Sequence, residues 1–188
     1  MQQLAARESE VGRTRALMAE QRQRIETLFG VRRSIVEALR KRFAAPDLKS
    51  PLGVDPNTGA IRFGEGILFE EDQATLHPTA EPVLRDFLDR YLGSLLGTEL
   101  FRKHVAQILI EGHTNDNGTY LHNLELSQRR AQTVMGFLLS QKSPHEADLK
   151  RLVTASGRSF SDPIHNAGGT VDKVRSRRIE FKFRLKDE

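Results

Sequence analysis

The sequence predicts a two-layer α/β sandwich, with helices on one face of a mixed sheet, behind a long N-terminal helix. Three observations carry this. Val105–Glu111 (VAQILIE) is a mostly apolar run of strand length, as a sheet centre covered by helices requires. Arg178–Leu185 alternates: Ile179, Phe181, Phe183 and Leu185 face one way, and Glu180, Lys182 and Arg184 the other. That is the period of a half-buried antiparallel strand. The stretches between carry apolar residues at helical spacing, so the expected order is a helix and then β-α-β-α-β-β.

From Gln2 to about Phe43 there is no proline, and glycine occurs only at positions 12 and 30. Leu4, Val11, Met18 and Ile25 recur every seven residues, and Leu28, Ile35 and Leu39 continue an apolar face. Seven-residue spacing points to a coiled-coil seam. The companion positions Arg7, Thr14 and Gln21 are polar, so a single amphipathic helix packed on the body through its C-terminal half is the other reading. Ala45–Gly53 is a loop by its prolines and terminal glycine. Val54–Phe63 reads as a turn between strands: Pro56 presets φ, while Asn57 and Gly59 tolerate the positive φ of tight turns. Ile67–Phe69 is a short apolar strand. Thr79 or a neighbour caps a helix whose face is Val83, Leu84, Phe87, Leu88, Tyr91, Leu92, Leu95 and Leu96. After Val105–Glu111 come a polar loop, Gly112–Asn123, and a helix, Leu126–Leu139. Leu149–Ala155 is a third core strand, and Gly157–Thr170 a long loop before the last strand. The domains expected are thus a basic helix over 1–44, a linker and turn over 45–60, and a folded domain over 61–188.

Composition narrows the function classes. Hydrophobic residues make up 38% and charged residues 29% of the 188, which suits a globular domain. No apolar run approaches the roughly 20 residues of a membrane span, and MQQLAARESE opens no signal-peptide pattern. There are no cysteines, which removes disulfides and thiolate chemistry. The net charge of +4 is uneven: residues 1–44 hold ten basic and five acidic residues, and the rest is close to neutral. A near-neutral body argues against nucleic acid as partner. The six histidines show no H-x-x-x-H or HExxH spacing, Gly112–Gly118 lacks the Lys-Ser/Thr of a phosphate loop, and no G-x-S-x-G elbow exists. Neither enzyme, metal nor cofactor is expected.

The most specific segment is Ile110–Ala131, IEGHTNDNGTYLHNLELSQRRA. Its Gly112, His113, Thr114, Gly118, Asn123, Leu126, Ser127, Arg130 and Ala131 resemble, without a gap, the signature of OmpA-like peptidoglycan-binding domains. Gly66–Phe69 with Ala74–Leu76 resembles the family's opening segment, and Ser176–Glu180 its closing Asn-Arg-Arg-Val-Glu strand. The resemblance implies non-catalytic binding of a peptidoglycan stem peptide, with an Asp and an Arg gripping diaminopimelate and the Asn-x-x-Leu stretch shaping the pocket. Carried onto this chain, the site residues are Thr114, Asn115, Asp116, His122, Asn123, Leu126 and Arg130. The chemistry is coherent. The far end of diaminopimelate carries an ammonium and a carboxylate on one carbon, which call for an acceptor and an arginine. A helix N-terminus further favours the anion.

Two positions depart from the pattern. Asn115 stands where the family has Asp, so it can accept from an ammonium but supplies no charge, leaving Asp116 as the neighbouring acid. His122 stands where Tyr is frequent. Other roles stay open: Arg130 as a structural partner of a loop carboxylate, Asn123 as helix N-cap, and Arg177 and Arg178 as framework charges. Within the family, the long basic helix and the Asp55–Gly59 to Phe69 lead-in resemble the B subunits of ion-driven stators (MotB type), including those of Zorya antiphage defence. That resemblance implies a periplasmic homodimer beside an inner-membrane motor or channel subunit, with an anchor or signal upstream of Met1. The alternative is an oligomerisation module whose pocket no longer binds cell wall.

Overall fold

The computed structural model describes the backbone of residues 2–43 and 53–186, with side chains there except those of residues 2–6, 8 and 9. The expected loop over 45–52 and the Leu4 position of the seam lie outside the described residues. The chain divides into two compact units, residues 1–34 and 35–188. Helix α1 (Gln2–Phe43) begins in the first. There Val11, Leu17, Met18, Ile25 and Phe29 are exposed. Its last turns, with Ile35, Val36, Leu39 and Phe43 buried, belong to the second.

The second unit continues with β1 (Gly53–Val54), β2 (Ile61–Gly64), α2 (Glu65–Leu68), α3 (Ala80–Leu96), α4 (Glu99–His104) and β3 (Val105–His113). It ends with α5 (Tyr120–Ser140), α6 (Glu146–Leu152), β4 (Val153–Gly157), α7 (Lys173–Ser176) and β5 (Arg178–Leu185). The five strands lie in the order β1-β2-β5-β3-β4. Only β3 and β4, joined across α5, pair parallel, so the sheet is mixed as expected. The turn into β2 follows its residue chemistry: Asp55 Oδ1 accepts from the amides of Asn57 and Thr58, and Gly59 adopts a φ of +71°.

One face of the sheet is apolar. Phe63, Phe181 and the α3 residues Phe87 and Tyr91 form an aromatic cluster with centroid separations of 4.6–5.8 Å. Alongside it, α5 lies on Gly112 and Gly157, which face each other across β3 and β4. Burying these side chains supplies the main driving force for folding. Tyr91 is fully buried, and its hydroxyl has no hydrogen-bond partner among the described residues. An unpaired buried hydroxyl destabilises. Tyr91→Phe should therefore raise stability by about 1 kcal/mol, or about 2–4 °C in a thermal melt. A melt lowered by that amount would show that the hydroxyl is satisfied.

Several elements differ from the sequence reading. Ile67–Phe69 is not a strand: Glu65–Leu68 is one helical turn, and only Phe69 makes a bridge, to Leu76. Leu149–Ala155 is split, because residues 146–152 are helical, with Lys150 paired to Glu146 one turn before it. Thr79 precedes α3, but its side chain makes no capping bond. The helix expected from Leu126 begins at Tyr120, capped by Thr119, whose Oγ1 accepts from His122 N; Asn123 is thus not the cap.

The last strand is more buried than an alternating pattern implies. On the sheet's other face Glu180 is 1% and Arg178 4% exposed. Glu180 Oε1 accepts from Arg62 and Arg178, both at 2.7 Å. Lys182 Nζ bridges Glu180 at 2.9 Å and Glu111 at 2.6 Å. Asp162 closes over Arg178, accepting through both its carbonyl and its carboxylate. His113, 3.7 Å from Glu111, and the bonded Lys182 hold Glu111 down at about 2. Burial opposes ionisation of Glu180, but Arg178, Lys182 and Arg62 outweigh it and keep its carboxyl far below the usual range. Burial pushes His113 below its ordinary value.

All three shifts have one consequence. A depressed carboxylate stabilises above its unfolded value and loses that contribution as pH falls through the folded one. A histidine buried in its neutral form takes up its proton more readily when unfolded, so it too favours unfolding in acid. The melting temperature should fall from about pH 6.5 downward, and more steeply below about pH 4.5. Melts at constant ionic strength test this, and a flat profile to pH 4 would refute it.

Candidate functional site

The C-terminal end of β3, the loop after it and the first turns of α5 face the segment 65–73 and the residue before β5. Between them lies a cavity of about 390 Å³. Thr114, Asn115, His122, Asn123, Leu126 and Arg130, all expected from the sequence, line it. Asp116 does not line it. Its carboxylate is exposed and bonded to Lys173 Nζ at 2.9 Å, which lowers its pKa. Asn117 and Gly118 of the same loop, with four charged residues from distant segments, Glu65, Glu71, Asp72 and Arg177, complete the wall.

The loop is held in shape by its own amides. Asn115 Oδ1 accepts from Asn117 N at 3.1 Å, Gly118 takes a φ of +87°, and Asn123 Nδ2 donates to Asn117 O at 2.7 Å. Asn123 therefore ties the loop to the helix from within the first turn. Thr114 N donates to Ser159 O, so the β4 exit supports the same loop.

Arg130 is 2% exposed and heavily engaged. Its Nη1 and Nη2 meet the two oxygens of Glu65, each at 2.9 Å. Nε donates to Gln73 O at 2.7 Å, Nη2 donates also to Glu70 O, and the guanidinium carbon stands 5.4 Å from the centre of the Phe69 ring. Arg130 thus fastens segment 65–73 onto α5, leaving at most one Nη1 hydrogen for a ligand. The loop-carboxylate partner considered from the sequence is Glu65.

Arg177 differs. Its Nε lies 3.6 Å from Glu65 Oε2, too far for a hydrogen bond, and Nη1 is 3.4 Å from the exposed Glu71. Two buried polar atoms of cavity-lining residues, Thr114 Oγ1 and Arg177 Nε, have no hydrogen-bond partner among the described residues, while Glu65 Oε2 is held by Arg130 Nη1. At the rim, Asp72 adopts a φ of +58° and its Oδ1 lies 3.3 Å from His122 Nε2.

The grouping of Glu111, His113 and Glu180 has ligand-type atoms within 4.8 Å of one another. Both carboxylates there already hold cations, Lys182 on one and Arg178, Arg62 and Lys182 on the other, so a metal ion would have to displace ammonium and guanidinium groups. His122 lies with Asp72 instead, so the two histidines of the motif do not share a site.

Glu65, Glu71 and Asp72 gave no local signal. They sit 38 to 45 residues before Ile110, where the motif begins, in a segment read as strand and loop, and only folding makes them neighbours. Arg177, like Arg178, is expected from the sequence as a framework charge. The strand alternation, which sends neighbours to opposite sides, was the available clue.

The OmpA family profile matches residues 68–177. A Zorya protein ZorB from Escherichia coli is 32% identical over 155 residues, covering 77% of this chain and 60% of that protein. Among solved structures, a putative MotB-like protein from Desulfovibrio vulgaris superposes with a TM-score of 0.61 at 24% identity, over 86% of this chain and 98% of that one. The cell wall anchor of the T6SS from Pseudomonas aeruginosa does so with a TM-score of 0.56 at 24% identity, over 82% and 99%. At such identities these two share the fold. No described helix is long and apolar enough to cross a membrane.

Proposed function

We propose that this chain, which belongs to the OmpA family, binds the stem peptide of peptidoglycan through the diaminopimelate end and so ties a membrane complex to the cell wall. The family is one of cell-wall anchors rather than enzymes. The observation that carries the finer reading is the cavity wall. Thr114 Oγ1 and Arg177 Nε, both buried without a hydrogen-bond partner among the described residues, belong to residues that line one cavity together with acidic side chains, which suits a ligand bearing both an ammonium and a carboxylate. Thr114, Asn115, His122, Asn123, Leu126 and Arg130 form the rest of that pocket, with Asp116 acting on it only through the loop.

In this reading the chain works in the periplasm as a homodimer, beside an inner-membrane motor or channel subunit. The chain spans 60% of the length of its Zorya relative, so the motor assignment rests on that likeness. Exposed Val11, Met18 and Ile25 on α1 supply a seam for the dimer. They equally favour the second reading, an assembly module that no longer takes cell wall.

Co-sedimentation with sacculi separates the two. An anchor pellets with diaminopimelate-type sacculi, is released by free diaminopimelate, and pellets less with lysine-type sacculi. An assembly module stays in the supernatant as a stable dimer, and that result would end the wall-binding proposal.

A further inference from the structure

We propose that the two charges of the ligand's zwitterionic end are met outside the Ile110–Ala131 motif: Arg177 grips the carboxylate, and Glu71 with Asp72 receives the ammonium. This rests on the peptidoglycan reading above and adds to it the residues that decide affinity.

The charged groups of the motif are already spent. Arg130 is closed by Glu65 and by the carbonyls of Glu70 and Gln73. Withdrawing it toward a ligand would leave Glu65 buried without its counter-charge, a costly state. Asn115 is neutral and its oxygen already accepts from Asn117 N. Asp116 is off the wall and neutralised by Lys173.

What remains facing the cavity is a second set. Arg177 is 31% exposed along its side chain, its buried Nε has no hydrogen-bond partner, and its Nη1 leans 3.4 Å toward Glu71. Glu71 is 85% exposed, and an exposed pair of this length contributes little to stability. A ligand opens it at small cost, whereas opening Arg130–Glu65 is expensive. The two halves of the Arg177–Glu71 pair are already spaced for a group with an ammonium and a carboxylate on one carbon. Guanidinium offers that carboxylate a planar, two-pronged donor. Asp72, beside Glu71 on the same rim with its Oδ1 3.3 Å from His122 Nε2, adds the second negative charge. The acid missing at position 115 is thereby replaced from across the cavity.

The test measures binding of full-length wild type, R177Q, R177K and E71Q/D72N to diaminopimelate-type sacculi and to a soluble diaminopimelate stem peptide. A second peptide carries the terminal ammonium acetylated. Melting curves serve as the folding control, since the substituted side chains are exposed or one-third exposed. R177Q and E71Q/D72N should each bind about tenfold or more weakly, the loss expected when a hydrogen bond to a charged group is removed. R177K should recover part of the loss. Acetylation should weaken wild type but leave E71Q/D72N unchanged. If wild type and all variants bind alike, the assignment of Arg177, Glu71 and Asp72 is wrong while wall binding stands. If wild type itself ignores both sacculi and peptide, the peptidoglycan reading falls and takes this assignment with it.

Discussion

Alanine at position 112 should strip the domain of a large part of its stability and its binding together. A Cβ on Gly112 would stand 2.2 Å from the carbonyl oxygen of Ser127 and 2.9 Å from its carbon. Both are backbone atoms in the middle of α5, so no side chain can swing aside. Gly157, its partner across β3 and β4, is equally close-packed: a Cβ there would meet Gln128 N at 2.5 Å and Leu124 O at 2.8 Å. The paired glycines are what let α5 lie directly on the sheet. Relieving the clash requires lifting the helix, and overpacking of this kind costs about 3 kcal/mol or more. For a domain of this size that corresponds to roughly 6–12 °C in melting temperature. The same displacement would carry His122, Asn123, Leu126 and Arg130 away from the cavity. Gly136→Ala provides the control on the same helix. It has open space around it, and a helix-interior Gly→Ala change stabilises by about 0.5–1 kcal/mol. Two alanines on one helix should therefore move the melt in opposite directions. Equal and small shifts would show that the helix tolerates being lifted.

What could be read from the sequence follows from how local each cause is. The apolar face of α3 and the alternation of β5 depend on residues a few positions apart, and both are present in the fold. Gly112 stood out as part of a motif, but the reason for it, a helix carbonyl at contact distance, is a tertiary fact. Leu149–Ala155 was read as one strand because apolar residues cluster there. The pairing of Glu146 with Lys150 one turn apart was the local cue that a helix precedes the strand. Glu180 reads by parity as lying on the face opposite the apolar residues, and Arg178 as a framework charge. They are buried because Asp162, from the loop after β4, closes over them, and they neutralise each other there. The site divides along the same line. The motif supplied eight residues of the cavity wall, while the charged residues opposite come from segments that only folding brings near.

Arg130→Ala is expected to have the other large effect, and to have it for two reasons at once. Removing the guanidinium leaves Glu65, 7% exposed, without its counter-charge, and frees the carbonyls of Glu70 and Gln73. Breaking one partner out of a buried ion pair costs about 3–5 kcal/mol. Segment 65–73 then loses its buried fastening to α5, leaving the exposed His122–Asp72 contact and Thr133, which still donates to Ala74 O nearby. That segment carries Glu71 and Asp72, so sacculus binding should vanish even if Arg130 never touches the ligand. A double-mutant cycle separates these effects. If Arg130 acts mainly by holding Glu65, Glu65→Gln and Arg130→Ala should be strongly non-additive, the double variant being more stable than the sum of the single losses by about 1–3 kcal/mol. The double variant should still fail to bind, because the fastening is gone in both. Arg130→Lys keeps a positive charge but cannot span both oxygens of Glu65 and two carbonyls at once, so it should fall between wild type and alanine in stability. Additive losses in the cycle would mean that the pair is not the unit that holds the segment. Binding retained by a destabilised Arg130→Ala would mean that segment 65–73 does not depend on this clamp. Arg130 is, in the fold, the bolt that sets where segment 65–73, with Glu71 and Asp72, stands.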